Sequence, residues 1–207
     1  MLRILIGILL GTSLLPSAAR ANAATFNFTG TVTQVPIDDL ATGIQPSELI
    51  SGSFTFQPAA LDAISAPTTG SYTSTGASFG MLVTIGPAAK LFSVSGGLNI
   101  GILNAFVDQY AVHAASGSLI LDFLFQDNSS AVFSSDGLPQ SPPPLAGFAQ
   151  RDFHLDQTDT NTDETQIDGT ISALRCGQGC VTSTVPERAS GWLPLRGTIL
   201  LISRRRL

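Results

Sequence analysis

Three groups of side chains in this chain have types and spacings that could do chemistry. The first is Asp159, Asn161 and Asp163, inside the run D-Q-T-D-T-N-T-D-E from Asp156 to Glu164. D-x-N-x-D spacing sends alternate side-chain oxygens toward one hard cation, so these three residues are the calcium ligands the sequence nominates. The run departs from an EF-hand: Glu164 stands where the turn glycine belongs, Thr170 replaces the closing bidentate Glu, and no flanking helices are expected. Without an ion, the same run is a solvated acidic loop between the last two strands. The second group is Cys176 and Cys180, the only cysteines, spaced C-G-Q-G-C. An even pair in an exported chain reads as a disulfide, and Gly177 and Gly179 let so short a loop fold back without Cβ clashes. C-x-x-x-C lacks the thioredoxin spacing, which favours a structural bridge over a redox pair.

The third group is His113 and His154, the only two histidines. Each lies in an alternating segment among apolar neighbours. No G-x-S-x-G announces a nucleophile, and no H-x-x-x-H or C-x-x-C pair announces zinc. Both therefore read as satisfied or surface histidines, and no catalytic residue is assigned.

The elements that must position these residues have a period of two almost everywhere. Thr25 to Gln34 places Phe26, Phe28, Gly30 and Val32 on one face and Thr25, Asn27, Thr29, Thr31 and Thr33 on the other. Ile50 to Gln57 turns Phe54 and Phe56 inward. Ser118 to Gln126 puts Leu119, Leu121, Phe123 and Phe125 together; Ile120 and Leu124 flank Asp122 on its other face, predicting a central strand covered on both sides. Gln166 to Leu174 gathers Ile167, Gly169, Ile171 and Ala173, with Asp168-Gly169 marking a bulge. Weaker strands are expected at Tyr72–Thr75, Ser78–Ile85, Leu91–Val94, Gln109–Ala115, Ala131–Ser134 and Phe148–Leu155, and a helical turn at Ala59–Ile64. Nine or ten short strands between turn signals such as Gly86-Pro87, Gly96-Gly97 and Asp136-Gly137 predict an all-β fold. The expected architecture is an antiparallel β-sandwich, jelly-roll-like, with Phe-rich faces buried between two sheets.

Composition restricts the partners. Residues 24–184 carry fourteen acidic side chains against Lys90, Arg151 and Arg175, a formal charge of −11. Such a domain is repelled by phosphate backbones and by a bare anionic membrane, so nucleic acid is excluded as a partner. The other seven of the ten basic residues sit in the two ends. Met1 to Ala23 has a basic Arg3, an apolar stretch broken by Pro16, and A-x-A sites ending at Ala21 and Ala23. It reads as a secretory signal peptide with a helical core, too short for the roughly 20 residues of a membrane-spanning helix. Exposed aromatics that could stack on sugars are few, since only Tyr72 and Tyr110 join the inward phenylalanines, and Trp192 lies in the tail.

At the other end, Val185-Pro186-Glu187-Arg188-Ala189-Ser190 resembles the start of the PEP-CTERM sorting signal, usually V-P-E-P-A-S, and Arg204, Arg205 and Arg206 match its terminal arginine cluster. A-T-F-N-F-T-G-T-V, S-G-S-F-T-F and F-S-S-D-G-L-P also look like segments of the β-domains of such proteins. The resemblance implies a protein exported by a Gram-negative bacterium that makes exopolysaccharide, with the tail handled by an exosortase through Pro186 and Glu187. It also implies residence in the biofilm matrix and β-domains mostly without an assigned activity. The tail departs from the family at Arg188, Pro194 and Arg196. A charge at mid-membrane costs roughly 2.5–3.5 kcal/mol, so this degenerate tail is a poor anchor and membrane contact through the two ends is transient.

The sequence thus divides into a signal peptide (1–23), a β-domain (24–175), a disulfide loop and linker (176–184) and a short basic sorting tail (185–207). The leading expectation is a secreted or cell-surface, non-enzymatic matrix protein. A carbohydrate- or calcium-binding module is the alternative, with calcium its only candidate cofactor; a secreted hydrolase without a recognisable motif is the third.

Overall fold

The computed structural model describes residues 23–180. The strands are β1 (Ala24–Asp38), β2 (Leu49–Phe56), β3 (Thr69–Ile85), β4 (Lys90–Asn104), β5 (Asp108–Ser116), β6 (Leu119–Asp127), β7 (Gln150–Thr158) and β8 (Glu164–Gln178). Each pairs antiparallel with the next, and β8 pairs with β1, so one sheet closes on itself as an eight-stranded up-and-down barrel. The all-β, antiparallel expectation agrees with this. The two-sheet, jelly-roll arrangement does not, because alternation says only that each strand buries one face. It does not say whether the facing wall is a second sheet or the far side of the same one.

Eight strands leave an interior just wide enough for side chains to fill. Phenylalanine does the filling. Phe26, Phe54, Phe56, Phe123, Phe125 and Phe153 are fully buried. Phe28 of β1 meets Phe123 of β6 edge-on at 4.5 Å between centroids, across the barrel from wall to wall. Phe26 packs edge-on against both Phe54 and Phe56. Edge-to-face pairs of this kind add about 0.5–1.5 kcal/mol beyond area burial. Most outward positions carry Thr, Ser, Asn, His and Asp, with Leu82, Leu91, Ile120 and Leu124 among the larger apolar ones. A barrel embedded in lipid alternates the other way, apolar outward and polar inward.

Local chemistry explains the departures from the expected strands. Tyr72–Thr75 and Ser78–Ile85 are two halves of one strand, β3, joined through a register shift between Gly76 and Gly80 opposite β4. A Cβ on Gly80 (φ 151°) would meet the Val94 carbonyl oxygen at 2.0 Å, so only glycine lets the chains approach there. Ala131–Ser134 is loop, and Ala59–Ile64 forms no helix; Asp62 there accepts the Ser71 N–H at 2.8 Å and lines the loop along the first half of β3. Strand β6, expected to be central and covered on both faces, is paired with β5 and β7 in the closed barrel but is covered on one face only: Ile120 and Leu124 are half-buried. Asp168-Gly169 is not itself bulged, since both pair in regular register with β7; the extra residue is Thr33 on β1, where the β1–β8 register shifts between Val32 and Gln34 opposite these two residues. Strand β8 runs on to Gln178, so Cys176 belongs to the barrel, opposite Phe26, and not to a linker.

One mouth of the barrel is plugged by residues 128–149, whose Phe133, Leu138, Leu145 and Phe148 pack on the core. Asp108, fully buried at the start of β5, fixes this plug: its Oδ2 accepts the N–H groups of Val132 (2.7 Å) and Phe133 (2.9 Å). The Ser129 hydroxyl, backed by backbone N–H groups of the same turn, holds the neighbouring Asp127 carboxyl below the usual carboxylate range. Ala23 and Gly179 lie side by side at this same mouth. The signal helix and the basic tail fall outside the described residues.

Candidate functional site

The acidic loop folds on itself. Asp159 Oδ1 accepts the N–H groups of Asn161 (2.7 Å) and Asp163 (3.0 Å), and its Oδ2 accepts the Asn161 side-chain amide at 3.1 Å. Thr162 adopts a left-handed φ of 71°, and Asp159 N–H closes the loop on Asp163 O at 2.9 Å. Asp159 is thus the cap of the β7–β8 turn, and Asn161 offers it an N–H₂ group in place of an oxygen for a cation. Among the described residues, no group of three or more His, Cys, Asp or Glu side chains is arranged to hold a metal ion.

Cys176 and Cys180 are joined, with Cα atoms 6.0 Å apart. The bridge fastens the end of β8 beside the start of β1, where Cys180 Sγ lies 3.7 Å from the Thr25 carbonyl oxygen. Gly179 takes a left-handed φ of 68° to close the loop. Ala23 sits at the barrel end; Ala21, Pro186 and Glu187 lie outside the described residues.

What the barrel does assemble is a row that the sequence reading missed. Strand register places Thr73 beside Asn99, Asn99 beside His113, His113 beside Asp122, Asp122 beside His154, His154 beside Asp168, and Asp168 beside Gln34. Seven strands thereby contribute one polar residue each to a single belt on the outer surface, and both histidines of the chain are in it. Four of the six links are side-chain hydrogen bonds. His113 Nδ1 lies 2.6 Å from Asp122 Oδ1, and His154 Nδ1 lies 2.7 Å from Asp168 Oδ1. Gln34 Nε2 donates to Asp168 Oδ2 at 2.6 Å, and Asn99 Nδ2 donates to Thr73 Oγ1 at 3.0 Å.

An ionised carboxylate only accepts, so each imidazole donates to it through Nδ1, which leaves Nε2 outside that bond. Each Asp–His pair therefore fixes the ring orientation and tautomer, as a carboxylate hydrogen-bonded behind a working histidine does. The histidine side chains are 54% and 41% exposed, on an open convex wall. That position suits hydrogen bonding to a large solvated ligand better than chemistry that must exclude water.

A second set of polar contacts shapes the far mouth. Burial pushes the Asp38 carboxyl up, but hydrogen bonds from the Thr42 hydroxyl, the Thr42 and Gly43 N–H groups and Thr165 outweigh it and hold it below the usual carboxylate range. Tyr110, fully buried, has its hydroxyl pKa pushed far up by desolvation. In comparisons with protein-family models, curated proteins and solved structures, nothing matches this chain.

Proposed function

We propose that this is an exported, non-enzymatic β-barrel protein of the cell surface or extracellular matrix, working through its outer walls. The observation that carries the reading is the Cys176–Cys180 bridge on a barrel whose interior is filled with aromatic rings. Disulfides persist in oxidising compartments outside the cytosol. A packed interior leaves the outer walls and loops to meet a partner. The leader ending at Ala23 and the PEP-CTERM-like tail around Pro186 and Glu187 supply the route, with an exosortase-type enzyme as processing partner and exopolysaccharide as surrounding matrix.

The experiment is fractionation of the producing cells with mass spectrometry of both ends. The reading expects a polypeptide beginning near Ala24, outside the inner membrane, with both cysteines oxidised. Leader-bearing chains in the cytoplasm with free thiols would overturn it.

A binding module for polysaccharide is the second reading, favoured by the continuous belt of hydrogen-bonding side chains from Thr73 to Gln34. Retention on the producer's own polysaccharide that is lost in His154→Ala or Asp122→Ala supports it. Equal elution of both variants and the parent rejects it.

A further inference from the structure

The first half of β4 has a neighbour on one side only. Strand β5 pairs with β4 from Asn99 onward, and β5 turns into β6 at Gly117, level with Ser95. Lys90 to Ser95 pairs with β3 alone. Which backbone groups are left open follows from one bond. Gly86 N–H donates to Leu49 O at 3.0 Å, so the backbones of Gly86, Thr84 and Leu82 turn toward β2. Those of Val83 and Met81 then turn toward β4 and engage Phe92 and Val94, their register partners. Leu91, Ser93 and Ser95 consequently aim their N–H and C=O groups away from the barrel. Among the described residues, no hydrogen bond reaches these groups.

Natural barrels and sheets blunt such edges with proline, bulges or inward charges. No proline lies between Lys90 and Ser95; the only charge is Lys90 at its start, and the β3 register shift between Gly76 and Gly80 falls at its end, opposite Ser95 and Gly96. The wall leading to the edge is otherwise uncharged. Its outward residues are Thr25, Asn27 and Thr29 on β1, Ser51, Ser53 and Thr55 on β2, Leu82 and Thr84 on β3, and Leu91, Ser93 and Ser95 on β4. Leu91 is 64% exposed and Leu82 41% exposed.

We propose that this edge is a self-association surface, on which a second copy of the chain pairs β4 with β4, antiparallel, about a two-fold axis at Ser93. Two features select a second copy. Antiparallel pairing of one strand with itself satisfies both edges at once, placing Ser93 opposite Ser93 and Leu91 opposite Ser95 of the other copy. The charge distribution also admits this approach: a domain of formal charge −11 repels its own copies, except where a wall without ionisable side chains faces another like it. The joined walls form one continuous sheet across the axis.

The test is sedimentation equilibrium of the full chain and of Ser93→Pro, with oxidative cross-linking of Ser93→Cys and Leu91→Cys. The parent shows a concentration-dependent monomer–dimer equilibrium. Ser93→Pro removes an N–H that points outward and leaves the β3 ladder intact, so the variant folds and its dimerisation weakens by at least about tenfold. Ser93→Cys reports the axis directly, because opposed residues of a hydrogen-bonded antiparallel pair have Cα atoms about 5.5 Å apart, within disulfide range. It forms a covalent dimer on mild oxidation, and Leu91→Cys, which faces Ser95, does not. A parent that is monomeric at every concentration overturns the proposal. So does a dimer indifferent to Ser93→Pro, or cross-linking by Leu91→Cys as efficient as by Ser93→Cys.

Discussion

The two walls of this barrel differ in everything except what they bury. The wall from β5 to β8 has a neighbour on both sides of every strand and carries Asp122, Asp152, Asp156, Asp168, His113 and His154 outward. The wall from β1 to the first half of β4 carries no ionisable side chain on its outer face and ends in an open edge. Behind both lies the same row of phenylalanines, with Phe28 of one wall against Phe123 of the other. Alternation dictates the inner face of every strand and leaves the outer face to serve another purpose. Where strands are paired on both sides, that face holds an ordered polar belt. Where an edge is open, charges that would repel a copy of the same chain are missing.

The largest expected effects test whether the two walls form one cooperative unit. Phe28→Ala and Phe123→Ala each remove a fully packed ring and should lower stability by about 3–5 kcal/mol. The double variant should cost less than the sum, with a coupling of about 0.5–1.5 kcal/mol for the lost edge-on pair. Denaturant unfolding followed by fluorescence and by circular dichroism gives one coincident transition if the walls share a core. Two separate transitions would break the barrel into independent halves. Next in size is Asp108→Ala, which leaves the Val132 and Phe133 N–H groups without their acceptor. A loss of about 1–3 kcal/mol is expected, with faster proteolysis inside residues 128–149.

The bridge and the carboxylates at the mouths give smaller shifts. Reducing Cys176–Cys180 reopens a very short loop, which the chain-entropy model values at about 2 kcal/mol. Thermal melts with and without reductant check this, and the effect should be localised to the β1–β8 seam. Asp38 and Asp127 titrate below the ordinary carboxylate value in the folded protein. Their contribution is therefore fully present above the unfolded value of about 3.9 and lost as pH falls through the lower folded one. Melting temperatures should drop on acidification below about pH 4, and Asp38→Asn should flatten part of that dependence. An unchanged slope in Asp38→Asn would remove this carboxylate from the account.

Much of the barrel could be read from residue order, because each inward Phe sits two positions from another polar-flanked apolar residue. Closure could not, since the β1–β8 seam joins residues such as Phe28 and Leu174 that no local pattern connects. The disulfide was legible from two cysteines and two glycines. The polar belt was only half legible. His113 and Asp122 lie at equal distances from the Gly117-Ser118 turn, so a two-residue hairpin there would have paired them. The link from Asp122 to His154 crosses a 22-residue plug, residues 128–149, and depends on tertiary register alone. The acidic loop shows the converse: D-x-N-x-D spacing suits calcium and equally suits an Asp that caps its own turn, and the turn-capping bonds of Asp159 are a feature the spacing does not single out.

The smallest effect separates the polar belt from the core beneath it. His154→Ala or Asp168→Ala removes one half-exposed pair, and exposed ion pairs are worth only about 0.2–1 kcal/mol. If the belt serves a ligand, these variants should melt within about 1 kcal/mol of the parent while losing what the outer wall binds. A double-mutant cycle on His154 and Asp168, repeated for His113 and Asp122, should return two small and nearly independent couplings, because each histidine takes one carboxylate through Nδ1. Strong coupling between the two pairs would mean that Asp122 bridges both rings. The belt would then be one rigid unit spanning β5 to β8, and its chemistry would have to be read as that of four residues acting together.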